Sequence, residues 1–294
     1  MLETVPNVSE GRDAAAIEEI GRAFASRATL LDVHADADHH RSVFTLVADP
    51  EPLVESLVAG IALALELVDL RVHDGVHPRV GAVDVVPIVP LLPQHMDQAK
   101  EVALGVAQRV GEELGVPVFL YGLVGADRRP AYFRRGGLTE LQRRVDAGEL
   151  RPDAGPAVLE PRSGAVLVGA RPALVAYNLD LGTTDVEVAR EIASTIRESG
   201  GGMPGVQAIG LALPQSGRVQ VSMNVLDLVR SPLHEVVGRV EREAAARGVA
   251  VVDAELVGLV PETVVSDAKA AGVEIRGIDE SRMLERALGA TGST

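Results

Sequence analysis

The sequence predicts an α/β (α+β) chain of two sheet-and-helix subdomains, on three observations. Helical and strand periodicities alternate along most of its length. Aromatic residues are only 2% of the chain, with no Trp, so aliphatic side chains must fill the interior. A Pro/Gly-rich passage from Gly148 to Gly164 cuts the alternation in two. With 294 residues, 47% of them hydrophobic, the chain has material for two domains with real cores.

The elements follow in order. Thr29 to Val33 and Ser42 to Val47 are β-rich runs. Asp49-Pro50-Glu51 then supplies a cap, a first-turn proline and an early carboxylate for a helix carried by Leu53, Leu57, Ile61 and Leu65. Val83 to Val89 reads as a strand, Val102, Val106, Val110 and Leu114 as a second amphipathic helix, and Val116 to Tyr121 as another strand. Beyond Gly164, Ala165 to Tyr177 is strand-like, and Val188, Ile192 and Ile196 mark a helix. Gly200 to Gly205 breaks the chain. Val219, Val221, Met223 and Val225 alternate with Gln220, Ser222, Asn224 and Leu226, the pattern of a half-buried strand. Leu233, Val236, Val237 and Val240 form a further helix, and Val249 to Val260 reads as the final strand. The expected subdomains are residues 1–165 and 166–294, with no strict sequence repeat between them.

Composition removes several function classes. A formal charge of −14 is unsuited to a phosphate-facing surface, so no nucleic-acid partner is expected. The longest greasy helical run, Leu57 to Val68, is too short to span a bilayer and contains Glu66, so no membrane partner is expected. Zero cysteines excludes disulfides, thiolate metal sites and cysteine nucleophiles. With no secretory leader at its start, the chain is expected to be cytoplasmic. Against the acidic background, Arg128, Arg129, Arg134, Arg135, Arg143 and Arg144 crowd one segment. They fit a solvated face or an anion-binding cleft, because screening over about 10 Å lets a local cluster dominate its surroundings.

The stretch from Val72 to Val85 carries the most chemistry. Gly75 offers a turn, Pro78 stiffens the backbone beside His77, and Arg79 and Asp84 follow before an apolar run. An imidazole on such a loop can take and return a proton near neutral pH, and Arg79 can fork onto a carboxylate. Taken bare the motif is weak, since a lone histidine in a loop is more often structural than catalytic. A rival constellation is His34-Ala35-Asp36-Ala37-Asp38-His39-His40 with His73 and Asp74, dense enough to suggest a metal-dependent amidohydrolase. It lacks helical HExxH spacing, and no metal is expected. Neither a phosphate loop nor a GxSxG elbow is present.

His77-Pro78-Arg79-Val80-Gly81-Ala82-Val83-Asp84-Val85 resembles the HPRxGAxDV signature of the glutamate formiminotransferase (formimidoyltransferase) family. Other stretches match in the same order: Val5 to Gly11, Arg41-Ser42-Val43, Val116 to Gly122, Pro152 to Pro156, Val168 to Arg171, Ala176-Tyr177-Asn178, Gln207 to Gly210, Gln220 to Asn224 and Leu256 to Pro261. The resemblance implies two subdomains facing each other across a ligand cleft, without the cyclodeaminase domain of bifunctional relatives. It implies transfer of a formimino group between N-formimino-L-glutamate and tetrahydrofolate, the latter as co-substrate, in histidine degradation and one-carbon metabolism.

On that resemblance His77 is the general acid/base. The segment Gly155, Pro156, Ala157, Val158, Leu159, Glu160, Pro161, Arg162, Ser163 and Gly164 is the folate contact. Arg41, Arg79, Arg171, Asn178, Gln220 and Asn224 are the substrate-binding residues. The partners expected are small molecules, folate and a glutamate derivative, with a homodimer as the assembly. The chain departs from the family at His40, where asparagine is usual, at Val76, where glutamate is frequent, and at Leu211-Ala212-Leu213, which replaces an aromatic pair. The alternatives to the transferase are the metal-dependent amidohydrolase and a non-catalytic folate-binding protein.

Overall fold

The computed structural model describes residues 1–291; positions 292–294 of the expected second subdomain lie outside the described residues. The chain divides into two compact units, Met1–Ala173 and Leu174–Thr294.

The first unit begins with two short strands, β1 (Leu2–Thr4) and β2 (Asn7–Val8), followed by helix α1 (Ala14–Phe24). Strands β3 (Thr29–Asp36) and β4 (Arg41–Ala48) lead to helix α2 (Pro50–Leu67) and strand β5 (Val83–Pro90). Helix α3 (Met96–Glu113), strand β6 (Val118–Gly122), helices α4 (Pro130–Arg134) and α5 (Gly137–Asp146) and strand β7 (Val166–Ala170) complete it. β1 and β2 act as two halves of one strand, since each pairs antiparallel with both β4 and β5. Pro6, which has no N–H to donate, lies at the interruption. The sheet runs β3, β4, the split β1/β2 strand, β5, β7, β6, and its last two pairings are parallel.

Local chemistry explains the helices that flank this sheet. Asp13 caps α1, its carboxylate accepting from the Ala15 and Ala16 N–H groups at 3.0 and 3.1 Å. Ile17, Ile20 and Phe24 turn inward, and a Cβ on Gly60 of α2 would meet the Phe24 ring at 2.0 Å. On β6 and β7, Val118, Val166, Val168 and Ala170 join the main core, while Phe119, Tyr121 and Leu167 face a second one. Phe133 and Leu141 seal that second core from α4 and α5.

The second unit contains β8 (Val175–Leu181), α6 (Val186–Ile196), β9 (Val206–Leu213), β10 (Arg218–Val225), α7 (Leu233–Ala246), β11 (Val251–Val257), α8 (Glu262–Ala270) and α9 (Leu284–Thr291). Its sheet order is β11, β8, β10, β9, antiparallel throughout, the arrangement of a ferredoxin-like βαββαβ unit. The first unit contains the same arrangement, with β5, β1/β2, β4 and β3 in the corresponding places and β6 and β7 appended. The chain therefore repeats a topology without repeating a sequence.

The long strand expected over Ala165 to Tyr177 is two strands in two different sheets, broken at Arg171-Pro172-Ala173-Leu174. Pro172 cannot donate to a ladder, and Val166–Ala170 is needed between β5 and β6. The division consequently falls after Ala173 rather than after residue 165. No described helix is long and apolar enough to cross a membrane.

Candidate active site

Two loops of the first unit are laced together: the turn between β3 and β4, and the segment from α2 to β5 that carries His73 and His77. The Val76 N–H donates to the Asp38 carbonyl at 3.1 Å, and His73 Nε2 donates to the His40 carbonyl at 2.8 Å. His73 Nδ1 accepts from the Gly75 N–H at 3.2 Å, so both of its nitrogens are committed and the ring is neutral. Burial first, and Arg79 second, pull its pKa down to about 4. Gly75 is required here, because a Cβ would lie 2.2 Å from the His39 carbonyl oxygen and 2.7 Å from the His73 ring.

His40 stands in the left-handed region at φ 49, which asparagine, aspartate and histidine adopt more readily than most residues. The imidazole is stabilised there by stacking on His73 at 4.2 Å and by accepting the Gly11 N–H at Nδ1, 3.1 Å away. Burial lowers its pKa, with Glu10 pulling the other way. The Val5 to Gly11 stretch packs on the signature itself: the Ser9 hydroxyl and N–H donate to the carbonyls of Gly81 and Ala82, each at 2.8 Å.

His77 is half-buried in this frame. Arg41, the first residue of β4, aims its guanidinium at it, with Nη1 3.0 Å from Nε2. The His39 ring is 5.8 Å away. Arg79 donates to the Gly75 carbonyl, and Arg134 of α4 pairs with Asp84 of β5. Asp84 is nearly inaccessible and also accepts the Val80 N–H at 2.7 Å. Burial holds the His77 imidazole well below its ordinary range, and Arg41, Arg134, His39 and Arg79 push it the same way. Close by, burial raises the Tyr121 hydroxyl, while Arg171 hydrogen-bonds to it and opposes the shift. Three guanidiniums thus surround a neutral base, with Asp84 a buried counter-charge. Such an arrangement has the chemistry to attract an anion and to exchange a proton.

The crowded arginines divide between the two readings. Arg143 is a solvated residue paired with Glu140 and Glu149, whereas Arg144 is buried, donating to the Tyr132 carbonyl at 2.8 Å with its guanidinium over the Tyr132 ring. Arg134 joins the His77 cluster. Its role was not legible alone, but Phe133 beside it, an aromatic in a chain nearly without them, signals a buried anchor. Among the described residues no three His, Asp or Glu side chains converge as a metal-ligand set.

The 155–164 segment is tied at both ends to the same unit. Ala154 bridges to Val118, and Gly164 bridges to Gly81 with the Ala82 N–H donating to the Ser163 carbonyl at 2.8 Å. Gly164 has φ 68, and a Cβ on it would stand 2.1 Å from the Val80 oxygen. Between the anchors Leu159 is buried, while Pro156, Ala157, Val158, Glu160, Pro161 and Arg162 are exposed.

Asn178, Gln220 and Asn224 share one face of the second sheet, with Ser222 opposite Asn178 in register. Asn178 and Gln220 are buried, donating to Glu255 at 3.2 Å and to Asp180 at 2.9 Å. Asn224 is half-buried, and Leu211, from the segment that replaces the family's aromatic pair, stands directly across from Gln220.

Comparison with known proteins finds relatives of both parts of the chain. Residues 1–171 match the formiminotransferase domain, N-terminal subdomain, and residues 176–277 match the formiminotransferase domain. The chain is 40% identical to the glutamate formimidoyltransferase of Thermoplasma acidophilum, over 97% of this chain and 96% of that protein. It is 35% identical to that of Streptococcus pyogenes serotype M1, over 97% of each. The formimidoyltransferase-cyclodeaminase of Gallus gallus is 42% identical over 91% of this chain but only 51% of its own length. With both family domains in order and full-length relatives at this identity, the chain belongs to the formiminotransferase family.

Proposed function

We propose that this protein transfers the formimino group between N-formimino-L-glutamate and tetrahydrofolate, with His77 as the general acid/base. The observation that carries the reading is the neutral His77 imidazole among three guanidiniums, in a chain of this family. N-formimino-L-glutamate bears two carboxylates and the folate tail bears more, so both reactants seek the charge that Arg41, Arg79 and Arg171 supply. The exposed apolar Val158, on a segment anchored beside the His77 loop, suits a folate contact over residues 155–164. Asn178, Gln220 and Asn224 are proposed to hydrogen-bond to substrate from their own sheet face. Tetrahydrofolate supplies the attacking N5 amine.

His77 accepts the proton released at that nitrogen as the new C–N bond forms. It returns the proton to the glutamate nitrogen as the old C–N bond breaks. Shuttling of this kind contributes roughly 10²- to 10⁴-fold in rate. The deciding experiment is a spectroscopic assay of tetrahydrofolate with N-formimino-L-glutamate. Formation of 5-formimino-tetrahydrofolate is expected, whereas saturable folate binding without transfer would overturn the enzymatic reading. No role for a metal and a homodimeric, cytoplasmic enzyme are part of the same proposal.

A further inference from the structure

Two histidines have no part in the proposed transfer chemistry, yet they join three separate segments at the His77 loop. His40, in the β3–β4 turn, and His73, between α2 and β5, stack at 4.2 Å with 23° between their rings. Each uses Nδ1 to accept a backbone N–H, His40 from Gly11 in the β2–α1 connection at 3.1 Å and His73 from Gly75 at 3.2 Å. His73 Nε2 then donates to the His40 carbonyl at 2.8 Å. The three segments touch at glycines. A Cβ on Gly11 would stand 2.2 Å from the Asp36 oxygen, and one on Gly75 would stand 2.6 Å from the His40 Cβ. The peptide N–H after Gly75, that of Val76, donates to the Asp38 carbonyl and leads directly into His77. The His73–Gly75 turn therefore sets where the His77 backbone starts.

An imidazole nitrogen accepts a hydrogen bond only while it carries no proton. Protonation of His73 places a hydrogen on Nδ1 against the Gly75 N–H, and protonation of His40 does the same against Gly11. Protonation of both sets like charges 4.2 Å apart, face to face. The charged groups facing the pair are Glu10 and Arg12 from the β2–α1 connection, and Asp74 and Arg79 from the α2–β5 segment. Arg12 is paired with Asp74. Glu10 Oε1 lies 3.5 Å from His40 Nδ1, placed to accept from a protonated ring in place of Gly11 donating to a neutral one. Burial is the largest influence on both rings and keeps them neutral near pH 7, with His73 held down to about 4.

We infer that His40 and His73 are positioning residues for His77, and that protonation of the pair in acid withdraws His77 from the reacting nitrogens. The hold is made of acceptor nitrogens, so it is lost as a proton is gained. The inference rests on the proposed transfer activity for its kinetic readout but not for its structural one.

The structural readout is an amide NMR titration of the full chain, with circular dichroism following the folded state. The Gly11, Gly75 and His77 amide signals should move together and reversibly as pH falls from neutral toward about 4. The kinetic readout uses two variants. His40→Ala should lower kcat about tenfold or more at neutral pH, with a smaller change in KM, as expected when a reacting group is misplaced. His40→Asn should recover most of that loss, since asparagine adopts the left-handed region and its amide oxygen can accept the Gly11 N–H. Its Gly11 amide should no longer respond to acid, and its kcat should fall less steeply than the wild type's. Signals from Gly11, Gly75 and His77 that stay fixed while the chain is folded overturn the inference, as does unfolding before they move. An acid fall of kcat in His40→Asn as steep as in the wild type overturns it too and leaves the transferase reading standing. Absence of transfer in the wild type removes that reading alone, and the amide titration then decides the hold on His77.

Discussion

The two units share one strand order and use it in opposite ways. In the first, the polar residues that matter sit at strand ends and in loops, where Gly75 and Gly164 allow backbones to approach and where His40 is held at positive φ. Its centre is the His77 imidazole among guanidiniums. In the second, the polar residues lie along the strands, and Asp180, Gln220, Asn178, Glu255 and Arg218 bond mainly to one another. A common βαββαβ framework therefore holds a loop-built cluster of titratable groups in one copy and a polar strand face with bonds along the sheet in the other. The difference shows that topology fixes where side chains can meet, while loop residues decide whether they meet as chemistry or as packing.

The sharpest way to break the comparison is His77→Gln, which should lower turnover by roughly two or more orders of magnitude with a much smaller loss of folate affinity. Glutamine can hydrogen-bond but cannot titrate, so the corresponding pH–rate limb should vanish. Steady-state kinetics with near-normal turnover would place the chemistry elsewhere.

Asp84→Ala comes next. It leaves the Arg134 guanidinium and the Val80 N–H without their buried partner and should cost about 3–5 kcal/mol in denaturant unfolding. In the second unit Asp180→Ala should cost less, about 1–3 kcal/mol, since the half-exposed Arg218 keeps Asp253 and water. Its effect should fall on stability and leave the pH–rate limb in place. A larger loss at Asp180 than at Asp84 would reverse the contrast.

Acid sensitivity is a smaller effect and belongs to the first unit. Folded His73 titrates at about 4 against an ordinary value of 6.5, so the unfolded chain takes up protons first as pH falls. The stability owed to neutral His73 is full above pH 6.5 and is lost progressively toward about 4. His40 and His77 are shifted in the same direction. Thermal unfolding followed across that range should show this slope, and His73→Gln should flatten it. The smallest expected effect is none: dialysis against a chelator should leave the transfer rate unchanged, and loss of activity restored by one metal would revive the amidohydrolase reading.

The sequence by itself determined the elements whose signal is local. Leu53, Leu57 and Ile61 repeat at helical spacing behind a Pro50 start, and the Val219 to Val225 alternation marks a one-faced strand. Neither needs a distant partner to be read. It also determined that His77 stands on a loop, because Gly75 permits a turn and Pro78 fixes φ without help from distant residues. Tertiary structure alone decided the rest. Helix α1 was not anticipated, although Asp13 caps it, because its inward face rests on contacts such as Phe24 against Gly60, distant in sequence. The boundary after Ala173 depends on β7 being inserted between β5 and β6, a pairing that no local pattern encodes. Arg134 reaches the site because Phe133 anchors α4 on the second face of the sheet, and Asn178 and Gln220 are buried because Glu255 and Asp180 receive them across strands. Spacing along a chain fixes which face a residue is on, but a charge or an amide is given its role by the partner it meets, and that partner comes from another part of the fold.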